Sequence, residues 1–84
     1  SYAPAAAPPP PEYLADLETR ARAGEAAAQR ELGILAYRGR GLPEDRAEAF
    51  KWLTLAARQG DRQAELSLEF IGPTISTEQA YEGR

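Results

Sequence analysis

Residues 24–60 read GEAAAQRELGILAYRGRGLPEDRAEAFKWLTLAARQG, and this stretch decides the fold. Apolar side chains recur at three- and four-residue spacing on both sides of Gly39-Arg40-Gly41, the pattern of two amphipathic helices separated by a turn. Sliding the chain so that Ala21 falls on Ala57 lays ARAGEAAAQREL over ARQGDRQAELSL. Arg22 then meets Arg58, Gly24 meets Gly60, Ala28 meets Ala64 and Leu32 meets Leu68, and Glu25 agrees with Asp61 in charge. Self-similarity at a period of this length marks a solenoid of helix–turn–helix units. The chain therefore reads as one full repeat at about 24–60 and a partial, capping copy at about 61–73.

Inside the repeat, the first helix is expected from Glu25 to Arg38, with Ala28, Leu32, Leu35 and Ala36 on its buried stripe. Gly33 beside that stripe admits a close neighbouring backbone. Asp45, answered three residues later by Glu48, has the pattern of a capping box and starts a helix running to Gln59. Its inner face is Ala49, Trp52, Leu53 and Ala56, widened by Phe50 and Ala57. Trp52 is the largest apolar group on it and is expected to anchor the core. Gly24 and Gly60 each close a helix at a position that tolerates positive φ.

Working outward, EYLADLETRARAG from Glu12 predicts a helix with Leu14, Leu17 and Ala21 inward. Asp16–Arg20 and Glu18–Arg22 are acid-then-base pairs at i,i+4 on its outer side. Residues 1–11, SYAPAAAPPPP, have the composition of an extended polyproline tether, or of a ligand for an SH3-like groove. Residues 12–84 form the repeat domain. A further helix is expected from Asp61 to Ile71, stopped by Gly72-Pro73, and Ser76 to Gln79 looks like one more helix start.

The bulk properties narrow the function. With 84 residues there is room for one small domain. A net charge of −3 and a pI near 4.9 give no reason to expect nucleic acid or an anionic membrane surface. No apolar run approaches the roughly 18 residues of a membrane span. Cys, His and Met are all absent, which removes Cys/His zinc sites, thiol nucleophiles and histidine bases. The chain opens at Ser1 without Met, as a processed product or an excised fragment does.

The motif Gly24, Ala28, Leu32-Gly33, Gly39, Gly41-Leu42, Asp45, Ala49, Trp52, Ala56-Ala57 and Gly60 resembles the Sel1-like repeat. That pattern reads G-x3-A-x3-L-G, G-x-G-V, D-x3-A-x2-W and A-A-x2-G. Two positions depart from it. Ala36 stands where the family usually has an aromatic, with Tyr37 next to it, so Tyr37 or Phe50 is expected to fill a smaller core. Glu69 stands at the place of Gly33 in the second copy, as suits a terminal cap. The resemblance implies an all-α fold: a short right-handed α/α superhelix, related to tetratricopeptide repeats, of about four helices plus a short C-terminal helical turn. It implies a scaffold that binds proteins, common in bacterial envelope, secretion and signalling systems. A periplasmic or secreted place is the expectation.

Catalysis finds little support in the residues. Thr19, Thr54 and Ser67 have no histidine to activate them, and Glu44-Asp45 reads as helix capping rather than a carboxylate pair. No residues are assigned to catalysis, a cofactor or a metal. A binding surface is easier to argue. The far side of the 25–38 helix presents Arg30, Ile34, Tyr37 and Arg38, and at the repeat offset Arg30 and Ile34 fall on Leu66 and Phe70. Arg and aromatic residues beside exposed aliphatics are the composition of interface hot spots. Two readings stay open: a non-catalytic adaptor that docks a protein or peptide, and a structural module that forms a homo-oligomer or stacks on flanking repeats. A carbohydrate site would need an exposed aromatic platform, which only the tyrosines and Trp52 supply.

Overall fold

The computed structural model describes residues 7–71, and the regular elements among them are α-helices. α1 spans Pro11–Arg22, α2 spans Ala26–Arg38 and α3 spans Arg46–Arg58; α4 covers 62–71. The helix start expected at Ser76 lies outside the described residues.

Local chemistry sets each boundary. α1 takes in Pro11 at its first turn, where the missing N–H costs no hydrogen bond. Pro9, just before it, is partly buried; its Cδ lies 3.3 Å from where a β-carbon on Gly41 would stand. Gly24 (φ 100°) and Gly60 (φ 92°) turn the chain after α1 and α3 in a conformation that only glycine adopts without strain. Asp45 caps α3, its Oδ1 accepting from the Glu48 N–H at 3.0 Å. The capping box is only half formed, however. The Asp45 N–H donates to the Ala36 carbonyl at 2.9 Å, and the Glu48 carboxylate pairs with Lys51 at 3.0 Å instead. The second donor is thus satisfied by the preceding helix, which ties the start of α3 to the end of α2.

Short turns make successive helices antiparallel. The two ends of α2 therefore meet opposite ends of α3: Ala36 bonds to Asp45, while Gln59 donates to the Gly24 carbonyl at 2.7 Å and to Gln29 Oε1 at 3.0 Å. Gln29 in turn donates to the Ala21 carbonyl at 3.0 Å. This pair, a buried Gln29 and an exposed Gln59, joins the end of α1, the start of α2 and the end of α3. Periodicity does not mark Gln29 as interior, because a buried amide is tolerated only where partners such as these await it.

Two cores result, both using α2. The first joins Leu14, Leu17 and Ala21 of α1 to Ala28, Leu32 and Leu35 of α2. The second joins Leu53 and Ala56 of α3 to Ala64 and Ile71 of α4, with Ile34, Tyr37, Phe50 and Ala57 packed on it. Tyr37 and Phe50 thus both lie against the second core. Trp52 differs from expectation. It is only partly buried and packs on the first core from its edge, and the largest wholly buried side chains are Leu17 and Leu53. The reason is geometric: α1 and α3 flank α2 without closing over it, so the indole sits at the rim of the gap, where Lys51 Nζ lies 4.7 Å from its ring centre. On the outer side of α1, Arg20 pairs with Asp16 at 3.1 Å and with Glu25 at 2.9 Å. Among the described residues Glu18 and Arg22 form no such pair; both line the gap beside Trp52.

Candidate functional site

α4 lies beside α2 and runs in the same direction, because α3 has reversed the chain between them. The alignment is held at one end by Asp61. Its carboxylate accepts from the Ala64 N–H at 2.9 Å, capping α4, and pairs with the Arg30 guanidinium at 3.0 Å. Partial burial pushes the Asp61 carboxyl up, but the Ala64 N–H and Arg30 together hold it below the usual aspartate value. A depressed folded-state value stabilises the fold above the unfolded carboxyl's range, near pH 4, and that stabilisation is lost as pH falls through the folded value. Asp61→Asn keeps an N-cap acceptor and removes the ion pair. It is expected to cost about 1 kcal/mol at pH 7, and the gap to wild type should close on acidification in urea melts. A gap unchanged between pH 7 and pH 3 would show that the ion pair contributes nothing.

Beyond Arg30 lies a groove of about 180 Å³ lined by Ile34, Tyr37, Arg38, Leu53, Ser67, Phe70 and Ile71. Phe70 is 81% exposed and Leu66, one turn before it, 48%. The rim is braced by Arg46, whose guanidinium carbon lies 5.6 Å from the Tyr37 ring centre. Of the six residues expected at a partner surface, the structure brings Ile34, Tyr37, Arg38 and Phe70 together around this groove. Arg30 is half-buried and held by Asp61, and Leu66 stands outside the lining. Sequence reasoning missed Leu53, Ser67 and Ile71 as liners. The i,i+4 spacing of Ser67 and Ile71, with Ser67 also i,i+3 to Phe70, was the available signal for two of them.

A larger cleft of about 420 Å³ lies on the other side, with Leu32 and Ala36 on its floor and Glu18, Arg22, Glu48, Lys51 and Trp52 among its walls. Its charges are mixed and Lys51 covers the indole, so no free aromatic platform is offered there. Phe70, the most exposed large apolar side chain of α4, stands instead at the smaller groove.

Thr19, Asp45 and Glu44 have structural partners. The Thr19 hydroxyl donates to the Ala15 carbonyl at 3.0 Å, Asp45 caps α3, and Glu44 approaches Arg46 at 3.8 Å. Tyr13 donates to Glu31, and that hydrogen bond raises its phenol above the ordinary tyrosine value. Thr54 Oγ1 is buried without a partner among the described residues. No group of three or more His, Cys, Asp or Glu side chains among the described residues is placed to hold a metal, and none of the described helices is long and apolar enough to cross a membrane.

Comparison with protein families matched residues 26–61 to the Sel1 repeat. Comparisons with curated proteins and with solved structures gave no significant match. The matched stretch coincides with α2, the Gly39–Asp45 turn, α3 and the Gly60-Asp61 link, so residues 26–61 of this chain match the Sel1 repeat as one helix–turn–helix unit.

Proposed function

We propose that the chain is a non-catalytic binding module that docks a segment of a partner protein in the groove between α2 and α4. The observation that carries this reading is Phe70. An aromatic side chain 81% exposed at the mouth of an apolar groove gains nothing for the isolated fold. The same group is a strong anchor once a partner covers it. Sel1 repeats generally mediate protein–protein interactions, which supports the same conclusion.

The experiment is a selection of phage-displayed peptides on the immobilised chain, followed by chemical-shift mapping of a selected peptide on the labelled protein. Shifts are expected at Ile34, Tyr37, Ser67 and Phe70. Phe70→Ala should weaken binding by about 30-fold, a hot-spot loss of roughly 2 kcal/mol. Being exposed, it should leave thermal stability within about 0.5 kcal/mol of wild type. Selected peptides that map to the Trp52 cleft, or that bind Phe70→Ala as well as wild type, would sink the reading.

A further inference from the structure

The groove is asymmetric in charge. Among its lining residues Arg38 is the one charged side chain, and the rest are apolar but for the Ser67 hydroxyl and the tyrosine. Arg38 is exposed at the last turn of α2, and among the described residues it has no hydrogen bond or ion pair. Arg30, at the far end of the same face, is by contrast already neutralised by Asp61. An occupant thus meets apolar walls and then, one helical turn beyond Ile34, an unpaired guanidinium. The chain's net negative charge does not oppose this, since exposed charges more than about 8 Å away are screened at physiological salt.

Resting on the docking reading above, we propose that the groove takes a peptide segment presenting an aromatic or aliphatic anchor next to a carboxylate, the carboxylate pairing with Arg38. A guanidinium favours this partner because it can donate two parallel hydrogen bonds to the carboxylate oxygens. A second copy of the chain fits less well. Phe70 and Arg38 stand at the same end of the groove, so a two-fold pairing that exchanged Phe70 side chains would bring both Arg38 groups together. No acidic side chain lines the groove to neutralise them.

The test is a synthetic peptide array in which each spot carries a Phe or Leu anchor with Glu, Gln or Lys two to four positions away. Affinities of the best sequences are then measured by fluorescence anisotropy. The expected result is about tenfold tighter binding of Glu peptides than of their Gln counterparts. Arg38→Gln should abolish that preference while sparing anchor-dependent binding, and Arg38→Glu should invert it toward Lys peptides. Circular dichroism melts confirm that both variants fold. Binding that depends on Phe70 but ignores peptide charge would overturn the carboxylate proposal and leave the docking reading standing. No retained spot would overturn both. A concentration-dependent dimer in sedimentation equilibrium, lost in Phe70→Ala, would assign the groove to a second copy and overturn the proposal.

Discussion

Leu53→Ala is expected to destabilise the chain by about 2–5 kcal/mol, the range for truncating a buried leucine. Leu53 is 1% exposed and belongs to the core shared by α2, α3 and α4. Its side chain also forms one wall of the candidate groove. Truncation removes apolar contact and leaves a cavity that three helices must collapse to fill. A chain of this size holds roughly 4–12 kcal/mol in total, so the loss is a large share of the whole. Urea melts at constant pH check it. A change under 1 kcal/mol would mean that the helices close the gap freely and that the second core is not packed as described.

Gly33→Leu is the complementary experiment, overfilling the same junction, and about 3 kcal/mol of destabilisation is expected. A β-carbon on Gly33 would stand 2.9 Å from Leu53 Cγ, 3.1 Å from the Ala49 carbonyl oxygen and 3.3 Å from the Leu53 nitrogen. The leucine tip can swing away, but the two backbone atoms cannot move unless α3 lifts off α2. Even Gly33→Ala, which gains about 1 kcal/mol of helix propensity, is expected to lose more than that to the clash, for a net cost near 1 kcal/mol. The second copy supplies an internal control. Glu69 occupies the equivalent place and is exposed, so Glu69→Ala should stay within about 0.5 kcal/mol of wild type. Equal tolerance at both positions would refute the close approach of α2 and α3. Among the described residues no helix nests on Glu69 as α3 nests on Gly33.

The two variants should not be additive. In Gly33→Ala/Leu53→Ala the shortened side chain relieves the contact at Leu53 Cγ but not those with the Ala49 oxygen and the Leu53 nitrogen. The double variant is therefore expected to lose less than the two single losses combined, because the residues touch.

The sequence by itself determined that this protein is a helical repeat. The stripes Leu14-Leu17-Ala21, Ala28-Leu32-Leu35-Ala36 and Ala49-Leu53-Ala56, and the turns at Gly24, Gly39, Gly41 and Gly60, are local properties of helical spacing and of backbone that needs positive φ. Helical spacing likewise placed Ile34, Tyr37 and Arg38 on one side of the 25–38 helix, and the repeat offset aligned Ile34 with Phe70. Only the tertiary structure decided who covers whom. It left Trp52 at the edge of a gap that α1 and α3 do not close. It gave Arg30 to Asp61 and buried Gln29 against Ala21 and Gln59, and it joined Leu53, Ser67 and Ile71 to the groove. Periodicity states which side of a helix is apolar, whereas burial depends on the neighbours that arrive from distant parts of the chain.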